Sequence, residues 1–474
     1  MKKIFSLILV VLSAASVQAR VQLPDIISDN MVLQQKQDVA LWGTAEPNSK
    51  IDILTSWDGK KLTVSSDKSG TWKAYVKTPA AGGPYTISFD DGDLTVVNNV
   101  LIGEVWLCSG QSNMVMPMKG YQSQPVENAM EYVATARPSQ PIRVCTISRA
   151  AEFEEKTTCR AEWCENTPAE VSGVSATAYL YARRLQEILD VPVGVVVSAW
   201  GGSKIEAWMS RQALEGFSSE LNMSFLDSKI KPEKPNHAPA MLYNGMLAPI
   251  RNYNFKGVIW YQGCSNVGQP DLYFRLQPVF VNMLRNIFRN PSLPFYYVQI
   301  APFKYKGYDD TGAALLREAQ SNALKEISHS GMVVTMDCGD NDCIHPAKKR
   351  TVADRLAFLA LQKTYGMAGI DAVTPLYESH EIREGKVYVK FTKSIMGIGP
   401  KGHQLDGFEV AGADKVFHPA SAQTGKGGHT VVVYSENVPV PVAVRYAFRN
   451  CSPVSVYNTY GIPASPFRTD DWEE

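Results

Sequence analysis

Val100-Leu101-Ile102-Gly103-Glu104-Val105-Trp106-Leu107-Cys108-Ser109-Gly110-Gln111-Ser112-Asn113-Met114 is the stretch from which the rest of the chain becomes readable. Residues 100–108 form a short, nearly unbroken apolar and β-branched run, the pattern of a strand buried on both faces. The run ends at Ser109-Gly110, so Ser112 stands where a strand hands over to a turn. Gly110 allows a tight backbone there, and a serine at such a junction can present its hydroxyl above the sheet edge as a nucleophile. The spacing is not the G-x-S-x-G elbow, because Met114 occupies the place of the second glycine. Taken alone, a turn serine bonding to its own backbone is the simpler reading.

Downstream of this strand the same grammar repeats. Residues 191–199, 257–261, 295–300 and 332–336 are further short apolar runs. Between them lie helical stretches, among them 178–189, with Tyr181, Leu185 and Ile188 on one face, and 351–365. Strands alternating with helices predict an α/β domain over 100–372, a three-layer αβα sandwich on a parallel sheet. In such sheets ligands bind beyond the carboxyl ends of the strands. On both sides the text changes to strands punctuated by turns. Val39-Ala40-Leu41-Trp42-Gly43, Thr71-Trp72-Lys73-Ala74-Tyr75-Val76 and the turn Gly82-Gly83-Pro84 mark residues 20–99 as a small β-sandwich domain. Lys386-Val387-Tyr388-Val389-Lys390-Phe391 and Thr430-Val431-Val432-Val433-Tyr434 mark 373–474 as a β-rich region.

The 474 residues carry 47 basic and 47 acidic side chains. That balance argues against a nucleic-acid partner, which needs a basic excess to neutralise phosphates. Lys2 and Lys3, the apolar run 4–11 and Val17-Gln18-Ala19 before Arg20 read as a signal peptide over 1–19, too short to span a membrane. The expected destination is periplasmic or extracellular, with no membrane insertion, and removing the two lysines leaves 45 basic against 47 acidic residues, a formal −2. The eight cysteines of an exported chain are candidates for disulfides, with Cys159 and Cys164, or Cys338 and Cys343, near enough in sequence to close small loops. No C-x-x-C pair and no histidine at ligand spacing is present, so neither metal nor cofactor is expected.

Three other strands end in chemistry. The strand to Ala199 runs into Trp200-Gly201-Gly202-Ser203, whose glycines free backbone N–H groups for an oxyanion hole. The strand to Tyr261 runs into Gln262-Gly263-Cys264-Ser265-Asn266, where an Asn amide is a further donor or a turn cap. The strand to Met336 runs into Asp337-Cys338-Gly339-Asp340-Asn341-Asp342-Cys343-Ile344-His345-Pro346. Asp342 and His345, three apart, share a face if they lie in one helical turn, and a carboxylate that orients an imidazole base toward a serine is the triad arrangement. His237, His329 and His429 have no comparable setting and read as surface or packing residues. If the strands are parallel, all four loops meet at one sheet edge.

Gly110-Gln111-Ser112-Asn113, Gly201-Gly202 with Ile205-Glu206-Ala207-Trp208, Trp260 through Asn266, and Asp342-x-x-His345-Pro346 resemble the motif blocks of the sialate O-acetylesterase family of SGNH hydrolases. The likeness extends to Ser28-Asp29-Asn30-Met31 and to Pro466-Phe467-Arg468-Thr469-Asp470, and so covers nearly the whole chain. The resemblance implies hydrolysis of acetyl esters on sugars. It assigns Ser112 as nucleophile, His345 as base and Asp342 as orienting carboxylate, with Asp340 and Asp337 as alternates. It also assigns Ser112 N–H, Gly202 N–H and the Asn266 side chain to the oxyanion hole, and Gln111 and Gln262 to the substrate pocket. Two departures stand out: Cys264 where the family often has Glu, and Cys343 where many members have Asp. A Cys264–Cys343 disulfide bracing the catalytic loop is expected from that pair. Three functions follow in order: a sialate (9-)O-acetylesterase, an acetyl xylan esterase, and a non-catalytic secreted glycan-binding protein. A basic side chain in the pocket separates the first from the second; intact Ser112 and His345 argue against the third.

Overall fold

The apolar run 100–108 is the second half of one long strand, β1 (Leu94–Gly110), in the computed structural model, which describes residues 20–392, 394, 397–400 and 404–472. The expected signal peptide at 1–19 lies outside the described residues. The first half of β1 pairs antiparallel with Gly82–Asp90 of the N-terminal region, and its second half enters the central sheet. The expected domain break at 99/100 therefore falls inside a continuous strand, because one extended backbone serves two sheets.

The central sheet adds β2 (Ile142–Ile147), β3 (Ala161–Cys164), β4 (Val193–Ala199), β5 (Gly257–Tyr261), β6 (Phe295–Val298) and β7 (Ser330–Val333). Their order is β7-β6-β5-β1-β4-β2-β3, and every neighbouring pair is parallel except β2 with β3. Register places the site. Gly110 is the pairing partner of both Ala199 and Tyr261, so β1, β4 and β5 end level and their following loops open side by side.

Alternate residues of these strands feed opposite cores. Val105, Leu107, Val258 and Trp260 pack with helices α2 (Pro270–Ile287) and α3 (Gly312–Glu326); Trp106, Cys108, Ile259 and Tyr261 pack with α1 (Ala176–Leu189) and α4 (Lys349–Lys363). This yields the three-layer αβα arrangement. Helix α1 starts two residues before the expected stretch because Ser175 caps it, its hydroxyl accepting the Ala178 N–H at 3.1 Å and donating to Met114 O at 2.6 Å. That second bond seats the helix on the turn that carries Ser112.

In the N-terminal region the pair Asp38–Thr44 and Thr71–Lys77 packs over the sheet containing Lys50–Thr55 and Gly82–Asp90, with Trp72 and Phe89 rings 5.6 Å apart. The C-terminal strands form small antiparallel sheets tied back to the αβα unit. Arg317, fully buried on α3, donates to Ile300 O at 3.0 Å and to Arg449 O and Asn450 O, both at 2.8 Å. Among the described residues no helix is long and apolar enough to cross a membrane.

Candidate active site

Ser112 opens a single helical turn (Ser112–Val115) directly after β1, with Gln111 still extended. Gly110, at φ +139°, makes the transition; a Cβ there would lie 2.2 Å from Tyr261 O, so no larger residue fits. The Ser112 hydroxyl lies 2.7 Å from Nε2 of His345, which stands in the irregular loop between β7 and α4. The other ring nitrogen, Nδ1, is 2.8 Å from Oε1 of Gln124. An amide oxygen only accepts, so Nδ1 carries the proton and Nε2 presents its lone pair to the serine hydroxyl. Tyr121 meets the His345 ring edge-on at 5.2 Å and donates its hydroxyl to Ser112 O at 3.3 Å.

Asp342 does not orient His345. Its exposed carboxylate accepts from Lys304 Nζ at 3.0 Å and Tyr308 OH at 2.5 Å, and these bonds hold its pKa below the usual value. The reason is local backbone. Asp340 Oδ1 accepts the N–H groups of Asp342 and Cys343 at 2.9 and 3.1 Å, folding 340–343 into a bend instead of a helical turn. The three-residue spacing therefore does not bring the two side chains together. Asp337 is also engaged elsewhere, in an ion pair with Arg355 at 2.6 Å. Gln124, invisible to a search for carboxylates, takes the orienting position.

The backbone N–H groups of Ser112 and Gly202 have no acceptor among the described residues. Gly202 has φ +69°, and a Cβ on Gly201 would meet Ser112 Cβ at 3.5 Å, so the two loops pack directly against each other. Asn266 is withdrawn from the oxyanion role: it is fully buried, its amide nitrogen donates to Glu206 at 3.0 Å, and its oxygen accepts from Ile205 N and Gln262 Nε2. Gln262 is likewise framework rather than pocket wall, its two N–H groups going to Ser203 O at 3.0 Å and Asn266 Oδ1 at 2.8 Å. Gln111 accepts the Gly263 N–H at 2.9 Å, and its own amide nitrogen has no acceptor among the described residues. His237, expected at the surface or in packing, adjoins this loop; burial, then the Lys204 charge, push its pKa down, and the Gly202 backbone is one of its partners.

A second layer fixes the pair. Asn113, next to the nucleophile, donates to Ile344 O, next to the base, at 2.9 Å. Its Oδ1 accepts from Lys349 Nζ at 2.5 Å. Lys349 is fully buried, has no carboxylate partner among the described residues, and sits 5.9 Å from the Tyr261 ring. Burial pushes its pKa down to about 7. Burial first, and the Lys349 charge second, push His345 down to about 4. A neutral imidazole accepting from a serine hydroxyl, beside free backbone donors, is equipped for acyl transfer.

Residues 102–361 match the family described as carbohydrate esterase, sialic acid-specific acetylesterase. The chain belongs to this family. A human sialate O-acetylesterase is 29% identical over 93% of this chain and 91% of its own length, and the mouse protein 27% identical over 98% and 97%. The crystal structure of a carbohydrate acetylesterase from Xanthomonas citri superposes with a TM-score of 0.86 at 34% identity, covering 96% of this chain and all of that one. This carbohydrate esterase is thus a carboxylic ester hydrolase that removes O-acetyl groups from sugars.

The esterase carries its eight cysteines as thiols, so the expected Cys264–Cys343 disulfide is not formed. The two side chains have different surroundings: the Cys343 thiol donates to His345 O at 3.3 Å, and Cys264 packs against the hydrophobic core that also holds Ile300 and Leu316. Instead of a covalent brace, the His345 loop is held by Asn113 and by its own backbone.

Proposed function

We propose that Ser112 is the nucleophile of a sialate (9-)O-acetylesterase, with His345 as general base and then acid. The observation that carries this is the 2.7 Å contact between Ser112 Oγ and His345 Nε2, beside the N–H groups of Ser112 and Gly202, which have no acceptor among the described residues. His345 Nε2 takes the hydroxyl proton as Oγ attacks the acetyl carbonyl, and the tetrahedral oxyanion is held by the two N–H groups. The imidazolium then protonates the departing sugar oxygen, leaving acetyl-Ser112. Water, deprotonated by the same nitrogen, releases acetate. Gln124 keeps Nδ1 protonated throughout. Because it is a neutral amide, it orients the ring without contributing the charge a carboxylate would.

The sialate reading is supported by the family description and by the names of the mammalian relatives. Residues 1–19 support export, to the periplasm or the extracellular side; N-terminal sequencing of the secreted protein should begin at Arg20. The regions 20–99 and 373–474 serve as bracing for the catalytic unit. The deciding experiment measures acetate release from 9-O-acetylated sialic acid and from acetylated xylan side by side, with Ser112→Ala as control. Sialate turnover above xylan turnover, reduced by about four orders of magnitude or more in the variant, is expected. Preference for xylan would move the substrate assignment to plant polysaccharide.

A further inference from the structure

We propose that Arg149 is the specificity-determining residue of this site, reading a carboxylate on the same sugar that bears the acetyl ester. The inference rests on the sialate reading above and adds the group that recognises the acid.

Topology brings Arg149 to the reaction. It lies two residues beyond the end of β2 (Ile142–Ile147), which is parallel to β4 and so delivers its following loop to the edge where Ser112 and Gly202 stand. Two aromatic side chains connect it to the catalytic pair. The guanidinium lies over the Trp200 ring, 5.9 Å from its centroid. Trp200 directly precedes the Gly201-Gly202 turn and is anchored by its N–H to Gly110 O at 3.0 Å. The Arg149 charge also reaches Tyr121, which packs edge-on against His345: burial, the larger effect, raises the Tyr121 phenol pKa and the Arg149 charge draws it down.

The charge is also available. Arg149 is exposed and makes no ion pair or hydrogen bond among the described residues. The acidic side chains that follow it are already taken: Glu152 by Lys156 at 3.2 Å, Glu154 by Lys229 at 2.7 Å, and Glu155 by Arg251. A guanidinium with no partner among the described residues, over the indole that leads into the Gly201-Gly202 turn, offers a planar fork to a carboxylate, with both N–H bonds parallel. The indole face holds the guanidinium near this edge by a cation–π attraction before any acid binds. A neutral acetylated sugar has nothing to place there.

The test compares wild type with Arg149→Met, which keeps an unbranched side chain and removes the charge, on three substrates. These are 9-O-acetylated sialic acid, its methyl ester, and 4-nitrophenyl acetate. In the wild type the free acid should be preferred to the methyl ester. In Arg149→Met, kcat/KM for the free acid should fall about 10- to 100-fold, mainly through KM. The methyl ester and 4-nitrophenyl acetate should change less than about twofold, and Arg149→Lys should recover part of the loss. Equal losses on all three substrates would make Arg149 structural and overturn the proposal, as would a variant that keeps the wild-type preference for the free acid. Wild type that ignores acetylated sialate while cleaving neutral acetylated sugars would instead sink the sialate reading, and this inference with it.

Discussion

His345 works with a neutral partner at Nδ1, and that choice sets what single substitutions should do. Gln124→Ala removes the acceptor that holds the tautomer and should lower kcat about 100-fold, whereas Asp342→Asn should leave it within about twofold, since that carboxylate serves Lys304 and Tyr308 at the surface. Steady-state kinetics on 4-nitrophenyl acetate checks both, and the reverse ranking would restore Asp342 as the orienting group. The pH profile belongs to the same residue. As the proposed base, His345 would act only when neutral, and burial with the Lys349 charge push its pKa down to about 4. Activity should therefore hold through mildly acidic pH and fall as pH drops through about 4. Removing the charge with Lys349→Met favours the imidazolium, so the acid limb of kcat/KM should move to higher pH. A limb that stays in place in that variant would show that Lys349 only packs.

At the scale of the element, the decisive feature is the level ending of β1, β4 and β5, which share Gly110 as a register partner. Gly110→Ala should cost several kcal/mol, about 3 or more, because the added Cβ meets Tyr261 O at 2.2 Å in a backbone region that side chains rarely adopt. A urea midpoint shows it; an unchanged midpoint would mean the strand ends are free to spread. These strands were legible beforehand, since unbroken apolar runs read as buried parallel strands whatever their neighbours. Ser112 and Gly202 were legible for the same reason: they follow such runs directly. Asp342 was misread because residue spacing fixes a shared face only inside a helix, and the Asp340 bend replaces the helix. Gln124 and Tyr121 lie in an irregular loop with no period to expose them.

In the whole molecule, the C-terminal region is joined to the αβα unit through buried polar contacts that no pattern in the chain announces. Arg317→Met should strip three backbone carbonyls, those of Ile300, Arg449 and Asn450, of their donor and lower stability by about 3 kcal/mol, with kcat nearly unchanged in the folded fraction. Calorimetry checks it, and an unaltered Tm would mean that the regions are held together by other contacts. The Arg468–Glu318 pair at 3.0 Å makes a second tie of the same kind.

By itself the sequence determined the αβα class, the sheet edge where the candidate site lies, and the Ser112 and His345 that the structure brings to 2.7 Å, because apolar periodicity and turn chemistry are local properties of the chain. Only the tertiary structure decided the partner of His345, the withdrawal of Asn266 and Gln262 into the framework, the thiol state of the cysteines, and the arrival of Arg149 beside Trp200. Those depend on which irregular loops meet in space. Loop conformation answers to hydrogen bonds between residues far apart in the chain, and no spacing within one loop encodes them.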